Sequence, residues 1–173
     1  MQTLAAAAAL VCVTAAAGYA QGNAATAVYR YRAAIAALLQ LKPGMVAAEV
    51  GAGPAVLASE LTPLVGANGR VVTGTLDRQT GAIGVEAASA DAVALIEVLA
   101  ATDRHKDVID RAAAALKPGG ALLVVDVPQE NDGRKTVGLE ADDVVTLAAA
   151  AGLKREAESG IVPGHYSIRF RKP

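Results

Sequence analysis

The tetrapeptide Leu-Lys-Pro-Gly occurs twice, at residues 41–44 and 116–119, each time after an alanine-rich run and ahead of a short apolar one. Proline cannot continue a helix and glycine supplies the turn, so each copy stops a helix and feeds a strand. Helices are predicted over 24–41, 54–65, 103–116 and about 140–151. Strands are predicted over 45–50, 70–75, 91–98, 121–127, 153–159 and 165–171. In 24–41, Val28, Tyr31, Ile35, Leu38 and Leu39 form the apolar stripe. Helices alternating with strands imply an α/β fold: a Rossmann-like, mostly parallel sheet with helices on both faces. The last two strands are joined through Pro163-Gly164, which predicts an antiparallel C-terminal hairpin at the sheet edge.

A length of 173 residues with 53% hydrophobic content suits one domain with a packed core. Aromatics are only 3%, so that core is built from Ala, Val, Leu and Ile. A net charge of −1 gives no basic footprint for nucleic acid and no polybasic patch for a membrane surface. The single cysteine, Cys12, excludes an internal disulfide and a cysteine-cluster metal site. Residues 1–20 carry no charge and end Gly18-Tyr19-Ala20 before Gln21. Small residues three and one before a cut fit a secretory cleavage site between Ala20 and Gln21. The lack of Lys or Arg before Arg30 opposes that reading, and the competing one is an alanine-rich helix belonging to the fold. Residues 1–20 are taken as a signal peptide and 21–173 as the folded domain. The mature protein would then be exported or periplasmic; if the segment is retained, it is cytoplasmic. The apolar run is short for a membrane span, and nothing later in the chain could cross one.

The stretch AAEVGAGPAVLA, residues 47–58, closes a strand in Glu49-Val50-Gly51-Ala52-Gly53 and leads into a helix. Such a turn suits an adenosine-bearing cofactor, because the glycines let the backbone turn tightly and approach the ligand. Glu49 is placed to anchor the turn or a polar part of the ligand. In open parallel sheets ligands bind beyond the carboxyl ends of the strands, where this turn falls.

Over residues 41–173 the chain resembles the class I S-adenosylmethionine-dependent methyltransferases, with the motifs in the family's order. LKPGMVAAEVGAGPA is similar to the first motif, GRVVTGTLD to the second strand and SADAVALIEV to the fourth. RAAAALKPGGALLVVDV resembles the helix, turn and fifth strand, and DDVVTLAAAAGLKREAESGIVPGHYSIRFRKP the final helix and hairpin. A subgroup of bacterial methyltransferase-domain proteins, some with export signals, is especially similar. A dinucleotide motif would need glycine at Val56, whereas the methyltransferase pattern has its third small position at Ala55.

The resemblance implies S-adenosylmethionine as cofactor, with Glu49, Gly51, Ala52 and Gly53 around its turn. The acidic residue that meets the ribose in the family falls at Thr75, whose hydroxyl offers one bond in place of a carboxylate's two acceptors. Asp77 reaches the ribose if the loop shifts; otherwise it is a solvated turn aspartate. Between the second and fourth strands the chain is shortened. Residues 83–87 read as a remnant strand with Glu86 as the adenine-side acid, or as an exposed loop carrying it. At the end of the fourth strand Glu97 matches the subgroup's acid and is the candidate general base, while Ala100 and Ala101 occupy its histidine positions. Asp126 reads as a polar wall of the substrate site. His105 reads as decorating a helix start, and His165 as structural. The implied activity is methyl transfer to a small-molecule acceptor. The alternative is a non-catalytic, exported binding protein with a degenerate cofactor site.

Overall fold

Apolar side chains on both faces of the central strands force helices onto both sides of the sheet. The computed structural model describes residues 15–51, 53–128, 130–131 and 136–173. In chain order the elements are α1 (Ala15–Leu38), β1 (Val46–Gly51), α2 (Ala58–Val65), β2 (Arg70–Thr75) and β3 (Ala90–Ile96). A 3-10 turn (Leu99–Ala101), α3 (His105–Ala115) and β4 (Leu116–Asp126) follow. Then come a small hairpin of β5 (Glu130–Asn131) and β6 (Thr136–Val137), α4 (Ala141–Ala150), β7 (Lys154–Ser159) and β8 (Tyr166–Arg171). The main sheet has six strands in the order β2-β1-β3-β4-β8-β7. The first four run parallel, and β8 and β7 are antiparallel additions. The expected Rossmann-like sheet with a C-terminal hairpin is therefore present.

Strand alternation divides the core in two. On one side Val93, Leu95, Leu122, Val124, Ile168 and Phe170 pack with Val108 and Ile109 of α3 and Val144 of α4. On the other, Ala47, Ala92 and Ala94 floor the sheet beneath Val28 and Ile35 of α1 and Leu61 of α2. The alanines carry no bulk, so branched side chains of α1 and α2 fill the space above them. Each fully buried Leu or Ile there contributes roughly 1.5–3 kcal/mol.

Both Leu-Lys-Pro-Gly copies place glycine in the left-handed region, Gly44 at φ +89 and Gly119 at φ +76. Their settings differ. The first links α1 to β1, as expected. The second lies inside β4, because Leu116 already pairs with Ala90 and the register resumes at Ala92 with Ala121. The lysine explains the detour. Lys117 Nζ reaches Asp91 at 2.8 Å, and the same carboxylate oxygen accepts the Val46 N–H at 2.7 Å. One carboxylate thus ties the starts of β1, β3 and β4.

Two expectations are corrected. Residues 83–87 form no strand. Instead this segment folds down on β2: a Cβ on Gly74 would stand 2.3 Å from the Ile83 carbonyl oxygen. With no strand beyond it, β2 is the sheet edge. And α2 begins at Ala58 rather than at Pro54; the two residues before it, Val56 and Leu57, are held by a side chain of β1.

Candidate functional site

That side chain is Glu49. It is fully buried, and its Oε1 accepts the backbone N–H of Val56 at 2.6 Å and of Leu57 at 2.8 Å. Both donors lie just ahead of the first helical residue, so the carboxylate holds the entry to α2 and meets the positive end of the helix dipole. Oε2 has no partner. Glu49 thus anchors the turn from beneath.

The turn itself stands at the carboxyl edge. Gly51 pairs with Thr75 on one side and Ile96 on the other. Neighbouring strands are about 5 Å apart, so the ends of β2 and β3 flank it across a span of about 10 Å. Neither Gly51 nor Gly53 has a left-handed φ. A Cβ on Gly51 would meet only ordinary contacts, the nearest at 3.5 Å, and one on Gly53 would meet nothing within 4 Å. The chain's own conformation and packing therefore require no glycine here, and the space in front of Gly53 is open. Ala52 lies outside the described residues.

Thr75 closes β2 and is exposed. Two residues on, Asp77 is also exposed, and its Oδ1 accepts the N–H groups of Gln79 at 2.9 Å and Thr80 at 3.3 Å. These bonds, the one from Gln79 foremost, hold its carboxyl below the usual range. The shortened connection is clasped to the loop after β3, with the Thr102 hydroxyl donating to the Arg78 carbonyl at 2.8 Å and Arg104 Nε to that of Gln79 at 2.9 Å. Glu86 lies on the exposed return toward β3, where its carbonyl accepts the Ser89 hydroxyl at 2.7 Å. Gly84, two residues earlier, still packs at Thr75.

On the other flank Glu97 follows β3 directly, held at φ +52 while its N–H donates to the Val125 carbonyl at 2.8 Å. A non-glycine residue in that region costs of order 1–3 kcal/mol and marks an over-determined position. Its Oε1 lies 2.9 Å from Nε2 of His165, whose Nδ1 is 3.0 Å from the Pro163 carbonyl. Both ring nitrogens face acceptors, which only the doubly protonated imidazolium satisfies. Burial lowers the imidazole pKa, but Glu97, the Pro163 carbonyl and the Asp126 charge outweigh it, and the net shift is upward. The His165 side chain is 2% exposed and that of Glu97 24%, so the carboxylate is the accessible member.

This pair was not legible as such in the sequence, where its members stand 68 residues apart. Register supplies the link: Ile96 pairs with Val125, and Asp126 with Tyr166 of the returning β8. Asp126 does not wall the site. It is fully buried and accepts backbone N–H groups of Leu99 at 2.7 Å, Val127 at 2.9 Å and Ala100 at 3.3 Å. Burial outweighs those bonds and pushes its carboxyl up to about 6. His105 does sit at a helix start, Nε2 at 3.0 Å from the Leu99 carbonyl. Among the described residues no cluster of three or more His, Cys, Asp or Glu is arranged to hold a metal, and no helix is long and apolar enough to cross a membrane.

No protein-family model matches the sequence, and no curated protein matches it. Solved structures do. A SAM-dependent methyltransferase from Aquifex aeolicus superposes with a TM-score of 0.68 at 13% identity, covering 82% of this chain and 89% of that one. The fold is that of the class I S-adenosylmethionine-dependent methyltransferases. The 1,6-didemethyltoxoflavin-N1-methyltransferase of Burkholderia thailandensis, solved with 1,6-didemethyltoxoflavin and S-adenosylhomocysteine, gives 0.63 at 15% identity over 90% of this chain and 84% of that one. The [4+2]-cyclase SpnF gives 0.60 at 16% identity over 84% and 80%. At these identities the likeness fixes architecture, and the cyclase shows that one architecture carries different chemistries.

On this methyltransferase fold the residues present fit an adenosine-bearing sulfonium in part. The open face at Gly53 and the flanking Thr75 leave room and one hydroxyl acceptor. Glu49, by contrast, is spent on α2.

Proposed function

We propose that this protein is an S-adenosylmethionine-dependent methyltransferase acting on a small-molecule acceptor. The observation that carries the reading is the glycine pair at the end of β1, which no internal contact or backbone angle requires. Space kept clear at the carboxyl edge of a parallel sheet is space for a ligand. In this reading the Gly51–Gly53 backbone, with Ala52, would hold the methionine side, and Thr75 with Asp77 the ribose hydroxyls. Glu86 would take the adenine side after a shift of its exposed loop. Bound there, the cofactor supplies an already activated methyl group.

What the chain must then do is orient the acceptor and receive its proton. Glu97 is the candidate base: its carboxylate borders the edge where β3 ends and is partly open to solvent. His165 is a positioning residue, since its Nε2, 2.9 Å from Oε1, fixes the Glu97 carboxylate. An acidic hydroxyl, a thiol or an amine asks less of such a base than an alcohol does. Residues 1–20 are proposed to be removed as a signal peptide, leaving 21–173 as the methyltransferase-like domain. The deeply buried positions of α1, Val28 and Ile35, lie beyond that cut.

Calorimetric titration with S-adenosylmethionine and S-adenosylhomocysteine tests the proposal. Micromolar binding is expected, abolished in Gly53→Val while stability stays within about 0.5 kcal/mol, because the added side chain meets only the ligand's space. No binding at millimolar ligand would sink the reading and leave a non-catalytic relative.

A further inference from the structure

The opposite, amino edge of the sheet holds a cleft of about 190 Å³ between the α1–β1 connection and the starts of β3 and β4. Lys42, Arg169, Arg171, Asp91 and the Gly119-Gly120 backbone line it. Arg169 is an unusual wall. It is only 7% exposed, on a strand whose alternate residues Ile168 and Phe170 are core, and its Nε is buried with no hydrogen-bond partner. A buried guanidinium is kept where its donors are met.

The carboxylates nearby do not meet them all. Glu156 is shared, bonding Arg169 Nη1 on one oxygen and Arg171 Nε on the other at 2.8 Å. Asp91 is matched by Lys117 at 2.8 Å. One arginine charge and that of Lys42, exposed at the rim, are left uncompensated. We infer that this cleft binds a small multivalent oxyanion of the phosphate class. Two uncompensated cations match a dianion, and a guanidinium with spare N–H groups suits its oxygens. The size agrees: at about 30 Å³ per water the cleft holds roughly six waters, below the ~300 Å³ of the smallest organic-ligand pockets.

The test is titration of the full chain with inorganic phosphate at constant ionic strength, read by calorimetry and by the thermal unfolding midpoint. Chloride and acetate serve as comparisons. Saturable binding is expected for phosphate alone, weakened roughly tenfold or more in Arg169→Gln and in Lys42→Ala. Phosphate no better than chloride, or acetate equal to phosphate, would overturn the assignment. So would unchanged phosphate affinity in both variants, which would move the anion to another part of the molecule. Should Arg169→Gln fail to fold, Lys42→Ala decides alone, because Lys42 is a solvent-exposed rim residue whose ammonium makes no bond among the described residues.

Discussion

Replacing Glu49 separates the two roles a carboxylate in this turn can have. In Glu49→Ala the N–H groups of Val56 and Leu57 lose their only side-chain acceptor, and Leu57 is fully buried. An unsatisfied buried donor costs about 1–3 kcal/mol, and losing a negative group at a helix N-terminus adds about 0.3–1 kcal/mol. For the two donors and the dipole together the expected loss is therefore ~2–7 kcal/mol, a large share of the ~5–15 kcal/mol that holds a domain folded. Glu49→Gln keeps Oε1 and both bonds, but its amide nitrogen takes the buried place of Oε2, which has no partner among the described residues. One unmet donor and the lost negative group make its expected cost about 1–4 kcal/mol. Urea unfolding reads the difference directly. At a slope of about 2 kcal/mol per molar, the alanine variant's midpoint falls by ~1–3.5 M and the glutamine variant's by the smaller ~0.5–2 M. Equal damage from the two substitutions would refute the reasoning, because it would mean that the charge or Oε2 carries the stabilisation.

The remaining predictions concern charge and space. Asp126 has its carboxyl raised from 3.8 to about 6 by burial. The folded state thus holds that proton more tightly, and stability falls as pH rises from about 4 through 6, by ~3 kcal/mol at 1.36 kcal/mol per unit. His165 is raised above 6.5, so its contribution is complete below that pH and is lost as pH climbs through the folded value. Urea titrations from pH 4 to 9 should show a continuous decline, its lower part missing in Asp126→Asn and its upper part in His165→Gln; a rise over that range would contradict both assignments. Gly74→Ala puts a methyl group 2.3 Å from the Ile83 oxygen, so it should cost about 2–3 kcal/mol by lifting the shortened connection. Thermal melts within about 0.5 kcal/mol of the parent protein would show that this segment is free to move.

The sheet was legible because its signals are local. Strand 70–75 was placed to the residue, since Gly69 and Thr75 bound an apolar run, and the C-terminal hairpin followed from Pro163-Gly164. The start of α2 was misplaced because the residues before it are held by Glu49, on a strand, and no residue between 54 and 57 signals it. Residues 83–87 form no strand because Gly74 lets the segment fold over the face of β2, the Ile83 carbonyl against it, instead of alongside its edge.

Helix–strand alternation, the glycines that turn the chain after each Lys-Pro, and the break after Glu49 could be read along the chain. These depend on residues within a few positions of one another. The tertiary structure alone decided what each carboxylate does. Glu49 and Asp126 accept backbone N–H groups, Asp91 ties three strand starts, and Glu97, partly open at the carboxyl edge, is held by a histidine on a distant strand. A carboxylate's role follows from the donors that surround it, and in a parallel sheet those donors arrive from crossovers far away in the chain.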